Sequence, residues 1–512
     1  MDRVLASVDD CPSEEPWSLP QGWSWTKLGV VAQVNPSTDF GGMEPDATIP
    51  FIPMAAVATE TGIIDTSARR TVGDVAKGFV RFANGDVIFA KITPCMENGK
   101  VAPVHGLPEG LAAGSTEFHV FRPRAVDQRF LWHWLVSRGF RQRAQRNMSG
   151  SAGQLRVPVD WLRTADFPLP PLQEQRRIVA RIDALFSEIA EGEAALDEAR
   201  KGLELFRRAL LKAAVTGELT RDWRENNSPQ ETGFDVIASL RSNRPVKRGS
   251  KRKSRAVEPS EQCDESSLPA LPPAWAWAAI QDVGCIQLGR QRAPQHHNGD
   301  HMRPYMRVAN VFEDRIDLSD VKSMNFTPAE FEAYRLHDGD ILLNEGQTPD
   351  LLGRPAIWRN QIEDCCFQNT LIRFRAASGV SPEWALLVFR HYLHAKRFKQ
   401  ESQITTNIAH LSAGRFALIE FPVPPPAEAA EIIRRVTEAL AAADDTRKIL
   451  DAEAADVARL KQSILKAAFE GKLAPQNPAD EPASFTLARL KNAPPTAART
   501  RSRRIANRNF ST

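Results

Sequence analysis

The segment Leu19-Pro20-Gln21-Gly22-Trp23-Ser24-Trp25 returns as Leu271-Pro272-Pro273-Ala274-Trp275-Ala276-Trp277, 252 residues on. Further matches follow at a spacing of 254: Pro50-Phe51 with Pro304-Tyr305, Gly85-Asp86-Val87-Ile88 with Gly339-Asp340-Ile341-Leu342, and Phe167-Pro168-Leu169-Pro170-Pro171 with Phe421-Pro422-Val423-Pro424-Pro425. Leu211-Lys212-Ala213-Ala214 with Gly217 is answered by Leu465-Lys466-Ala467-Ala468 with Gly471. A near-constant offset over most of the chain means one unit written twice, so the fold must contain two similar bodies. The 512-residue length is in any case too great for a single core.

Each copy changes character part-way. Its first part mixes short apolar runs with Gly, Pro and Asp punctuation, which reads as an α+β globule. Strands are expected at Asp86–Ala90 and Asp340–Leu343, and helices at Arg129–Arg143 and Glu383–Lys399. After the paired prolines the pattern becomes helical, with Gly217 or Gly471 just past the end. Ile182, Ile189, Leu196, Leu203 and Leu210 recur every seventh residue as a heptad a row, with Ile178, Leu185 and Phe206 at d. Val436, Leu450, Val457 and Ile464 keep the same phase in the second copy, with Ile432 and Leu460 at d. Such a helix is about 65 Å long at ~1.5 Å per residue, far longer than the ~25 Å of a 150-residue globule, so the two matched helices are expected to pair with each other.

The expected boundaries are a first globule at 17–170, a helix at 171–219, a basic linker at 220–268, a second globule at 269–425, a second helix at 426–474 and a basic, disordered tail at 475–512. The net charge is only +3, yet Arg241–Arg255 carries eight basic residues and Arg489–Arg508 seven, with no acid in either. Six cysteines show no C-x-x-C spacing, which argues against a zinc ribbon or a redox pair. The absence of a long apolar run and of a secretory leader points to the cytoplasm.

The run Phe167-Pro168-Leu169-Pro170-Pro171-Leu172-Gln173-Glu174-Gln175-Arg176-Arg177-Ile178-Val179, with Ile92-Thr93-Pro94-Cys95-Met96-Glu97-Asn98-Gly99-Lys100, resembles the DNA-specificity subunits of type I restriction-modification systems. The likeness covers roughly residues 17–219 and 268–474. It implies two α/β target-recognition domains, each followed by a long helix, with the helices packed as an antiparallel coiled coil. It also implies binding to double-stranded DNA beside two modification subunits that carry S-adenosylmethionine and methylate adenine, and restriction subunits that use ATP and Mg²⁺, with no cofactor in this chain. Partner contacts fall on Gln173, Glu174, Gln175, Arg176 and, in the second copy, Glu428, where the matching run reads Pro426-Ala427-Glu428-Ala429-Ala430.

Base edges are read by Arg, Lys, Asn, Gln and Glu, and phosphates by positive charge and N–H donors, most often from loops on a rigid frame. In the first globule that criterion selects Lys91, Thr93, Asn98, Lys100, Arg143, Arg146, Ser149, Gln154 and Arg156. In the second it selects Arg307, Asn310, Glu345, Gln347, Arg354, Thr405, Asn407 and His410. Each alone is equally well a solvated surface residue. Signals for catalysis are poor: there is no G-x-x-x-x-G-K-[ST] loop, Asn35-Pro36-Ser37-Thr38 lacks a glycine-rich cofactor loop before it, and Glu470-Gly471-Lys472 sits at a helix end. The reading is therefore a non-catalytic subunit for a bipartite, asymmetric DNA target, against the alternative of a coiled-coil scaffold that binds protein.

Overall fold

The computed structural model describes residues 17–243 and 268–492, apart from residues 152, 406 and 407. These form two compact units, one holding what precedes Leu196 and follows Asp451, the other the stretch Leu196–Asp451. Both are α+β, as the punctuation and periodicity indicate.

In the first unit an antiparallel sheet runs in the order Ala32–Val34, Phe118–Pro123, Val87–Ala90, Val101–Pro103. The second unit repeats it as Gly284–Leu288, Leu371–Ala376, Ile341–Asn344, Pro355–Ile357. The central strands Val87–Ala90 and Ile341–Asn344 are buried on both faces, so they read as continuous apolar runs without alternation. A helix follows each sheet, Gln128–Val136 capped by Asp127 and Pro382–His394 capped by Ser381. The cap oxygen satisfies the first orphan N–H groups, which fixes where each helix begins.

A buried carboxylate anchors each sheet. Arg122 donates to both oxygens of Asp86, at 2.7 and 2.8 Å, and Arg375 to both of Asp340, at 2.6 and 2.7 Å. The same carboxylates accept the backbone N–H groups of Ala83 and His337. Full pairing is what makes a buried charge tolerable at these two repeated positions.

The helices Leu172–Val215 and Pro426–Phe469 each span 44 residues. Within the first unit, Ile178 and Ile182 from one helix and Ile464, Leu465, Ala468 and Phe469 from the other share a core with Trp23, Phe130 and Trp134. Within the second, Leu210, Leu211 and Val215 meet Ile432, Val436, Trp275 and Phe421. Arg200 with Asp451 at 2.9 Å and Arg207 with Asp444 at 2.6 Å show that the pairing there is antiparallel. The row from Ile182 to Leu210 faces inward as expected. The second row holds only in part: Ile178 and Ile432 are buried and Leu185 half-buried, but Phe206 is 46 % and Leu460 50 % exposed, and beyond Leu185 the first helix turns Phe186, Glu193, Arg200, Arg207 and Ala214 inward, four residues after each member of the first row. Several of these positions are charged, and Lys461 places its Nζ 2.7 Å from both oxygens of Glu193. A search for apolar heptads cannot see a seam row made of ion pairs.

Gly217 and Gly471 close the long helices with φ of 73° and 69°. A Cβ at either would meet Pro272 or Pro20 at 2.6 or 2.2 Å, so glycine is required both for the turn and for the close approach.

Two boundaries differ from the sequence expectation. Residues Arg221–Asn226 and Gly233–Ser242, expected as linker, are helical, with Val236 and Ile237 in the second unit's core. Ala483–Asn492, expected as tail, is also a helix, and its Ala483 N–H donates to Gly22 O. Apolar residues spaced three and four apart carry Gly233–Ser242 and Ala483–Asn492, and the basic runs beside them masked the pattern, whereas Arg221–Asn226 offers only Trp223. The remainder of both basic runs, and Asn407, lie outside the described residues.

Candidate nucleic-acid interface

In the first unit the turn after strand Val87–Ala90 is tied to the loop 149–156 by backbone bonds. Thr93 N–H donates to Leu155 O, Val157 N–H to Lys91 O, and Ser149 and Arg156 exchange bonds. Lys91 N–H donates in turn to Glu117 O. The structure thus brings Lys91, Thr93, Ser149, Gln154 and Arg156 together, and adds Glu117, which sequence reasoning missed. Arg156 grips Glu117 with two bonds of 3.0 Å. That contact holds the Glu117 carboxyl below its ordinary pKa and the Arg156 guanidinium above its own. Beneath them His119 is buried, its Nε2 2.9 Å from Val157 O and its Nδ1 3.0 Å from Asn35 Nδ2.

Not all first-unit candidates join this cluster. Lys100 turns to Met54 O at 2.9 Å, and Thr93, though tied in by its backbone, gives its hydroxyl proton to Glu97 at 2.6 Å. Asn98 and Arg146 are exposed. Arg143 lies 5.0 Å over the Trp134 ring, in a pocket that the helix Pro426–Phe469 also lines.

The second unit repeats the frame with other side chains. Leu411 N–H donates to Glu345 O as Val157 does to Lys91, and Glu345 N–H donates to Thr370 O. Glu345 therefore stands where Lys91 stands, and His410, 3.3 Å from the Glu345 carboxylate, where Arg156 stands. Strand Gly346–Gln347 pairs with Ile408–His410, which pairs with Gln403–Thr405, so Glu345, Gln347, His410 and the Thr405 backbone belong to one small sheet.

Three candidates of the second unit are structural. Asn310 is 2 % exposed and bonds to the carbonyls of Asp317 and Asp320. Arg307 pairs with Asp320, and Arg354 donates to Val311 O at 2.6 Å while lying 4.6 Å over Phe312. Burial lowers the Arg354 pKa, because the guanidinium is partly withdrawn from water. Polar residue type in a loop does not reveal such internal partners.

The type I restriction modification DNA specificity domain matches residues 20–197, which include this first cluster. That stretch is similar to the specificity domain. Over its length it is 27 % identical to the EcoAI specificity subunit of Escherichia coli, covering 85 % of this chain and 80 % of that one. It is 25 % identical to the EcoEI specificity subunit of Escherichia coli, covering 89 % and 84 %. A chain from a solved structure on complex assembly and conformational transition of the type I R-M system is similar in fold. Its TM-score is 0.61 at 20 % identity, covering 89 % of this chain and all of the other.

The partner contacts expected at the end of the specificity domain divide in two. Gln173 and Arg176 are exposed. Gln175 is buried, accepting from Asp127 N–H at 2.7 Å and donating to Pro170 O at 2.9 Å. Glu174 and Glu428 are 2 % and 1 % exposed, and Glu428 accepts from Thr220 at 2.6 Å, Trp275 at 2.8 Å and Arg224. These three cannot meet a partner while folded this way, because the glutamate that survives in both copies faces the core. Among the described residues no helix is long and apolar enough to cross a membrane, and no group of His, Cys, Asp and Glu could hold a metal ion.

Proposed function

We propose that this chain is the DNA-sequence-recognising specificity subunit of a type I restriction-modification complex. In this reading it reads a bipartite, asymmetric target in double-stranded DNA and performs no chemistry itself. Adenine methylation with S-adenosylmethionine, and cleavage driven by ATP with Mg²⁺, belong to modification and restriction subunits. One observation carries the reading: a shared frame presents Lys91 and Arg156 in one unit and Glu345 and His410 at the same positions in the other. Lys and Arg donate to guanine O6 and N7, whereas Glu accepts from cytosine N4, so equal frames with unequal side chains suit two different half-sites. The duplicated frame also offers two modification subunits similar surfaces, with Gln173 and Arg176 exposed beside the first.

Selection of bound sites from a random duplex library by the assembled complex tests this. Lys91→Ala and Glu345→Ala are each expected to relax one half-site only, by about 1–3 kcal/mol at the affected base pair. Loss of preference in both halves from either change, or duplex binding insensitive to salt, would refute it.

A further inference from the structure

A pocket of about 570 Å³ opens in the first unit between the helix Arg138–Arg146 and the C-terminal end of Pro426–Phe469. Trp17, Trp134, Phe140 and Phe469 give it aromatic walls. The Arg138 N–H donates to Gln462 Oε1 at 3.0 Å and ties the two helices across it. Its volume lies within the ~300–1,000 Å³ usual for small-molecule sites, which are likewise mostly apolar with a few placed polar groups.

Of the charged side chains that line it, Glu470 is engaged by Lys472 at 2.6 Å and Lys466 at 3.8 Å, whereas Arg143 makes no ion pair among the described residues, and the repeat shows why. In the second unit Arg397 stands at the position of Arg143 and is held by Glu420 at 2.7 and 2.8 Å and by Glu401 at 2.7 Å. The first-unit counterpart of Glu420 is Asp166. Strand pairing puts Lys27 opposite Asp166 where the second unit has Ala279 opposite Glu420. Lys27 takes that carboxylate at 2.7 Å. Arg143 is left half-buried against Trp134 with no carboxylate partner among the described residues, and burial lowers its pKa. The aromatic walls are also peculiar to this unit, since Trp134 and Phe469 correspond to Val388 and Val215. The shared frame does not require them.

We infer that this pocket binds an organic anion with a flat apolar body, of the aromatic carboxylate class, the ring packing on Trp134 and Phe469 and the carboxylate meeting Arg143. A guanidinium taken from water without a partner gains more from such an anion than an exposed one does. The inference is independent of how the chain reads DNA.

Calorimetric titration of the full chain with naphthalene-2-carboxylate is expected to show one saturable site, with naphthalene-2-carboxamide bound about tenfold or more weakly. Arg143→Gln removes the charge. Gly139→Leu fills the pocket from a position where a Cβ meets nothing within 4 Å. Each should weaken the carboxylate about tenfold or more while leaving the thermal transition in place. No saturable binding, equal affinity for acid and amide, or carboxylate affinity that survives either variant would overturn the assignment. The acid–amide comparison uses the unaltered chain, so it decides even if a variant fails to fold.

Discussion

Trp275 donates its indole N–H to Glu428 at 2.8 Å, and the equivalent glutamate of the first unit, Glu174, keeps one carboxylate oxygen without a hydrogen-bond partner among the described residues. The cause lies in the segments that pack on them. Thr220 and Arg224 complete the Glu428 site, whereas Ala474 stands at the position of Thr220 and supplies no donor. Burial pushes the Glu174 pKa above its ordinary 4.5, against the opposing pull of Trp23 and Arg177. The folded state thus holds the Glu174 proton more tightly than the unfolded chain does. Its ionisation penalty is absent below pH 4.5 and fully present once the pH has risen past the folded value. At pH 7 Glu174→Gln should leave stability unchanged or raise it by up to ~1 kcal/mol, while Glu428→Gln should lower it by ~1.5–3 kcal/mol as its charge-assisted bonds disappear. Urea denaturation of both variants checks the contrast.

The helix seam gives a second expectation. Phe206→Ala and Leu460→Ala should each cost no more than ~1 kcal/mol, because both side chains are about half in water. Ile182→Ala, fully buried, should cost ~2–5 kcal/mol. Glu193 and Lys461 are partly exposed, so their coupling in a double-mutant cycle should not exceed ~1 kcal/mol. If Phe206→Ala proved as costly as Ile182→Ala, the row assignment would be wrong.

The buried His119 should titrate low. Val157 O can only accept, so Nε2 carries the proton and Nδ1 accepts from Asn35 Nδ2, while Asn35 Oδ1 takes the Val120 N–H at 3.0 Å. Protonation would set a second N–H against the Asn35 amide. Burial likewise lowers the His119 pKa below 6.5. The folded state binds the proton less well than the unfolded chain, so the stabilisation is complete above pH 6.5 and drains as pH falls through the lowered value. Imidazole NMR titration should find a midpoint below 6.5, and Asn35→Asp, which supplies an acceptor, should raise it.

The basic runs outside the described residues bear on affinity alone in the proposed function. Deleting 244–255 and 499–508 spares the helices Gly233–Ser242 and Ala483–Asn492. The slope of log affinity against log salt should flatten by ~0.9 for each phosphate no longer neutralised, and the selected site should stay the same. Measurement of duplex binding from low to moderate salt, with site selection on the same protein, separates the two effects.

The duplication, the α+β class, the two long helices and the glycines that end them could all be read from the sequence. Each is written in local periodicity or in a repeated word, and a repeated word folds the same way twice. The place of the turn after Val87–Ala90 was legible for the same reason, since a loop that follows a buried strand on a duplicated frame keeps its position. What the sequence could not disclose was partnership between residues far apart. Asn310 carries the amide of Gln154 and Arg354 the positive charge of Lys91, and only tertiary contacts with the 317–320 turn and with Val311 turn them into parts of the scaffold. Glu174 and Glu428 look like surface residues at a helix start until Trp23 and Trp275 close over them. The seam's charged row was hidden because an ion pair is apolar in neither partner and becomes a packing element only when the two helices lie side by side. Composition and period fix which way a residue's own segment folds; burial and pairing depend on what the rest of the chain brings to it.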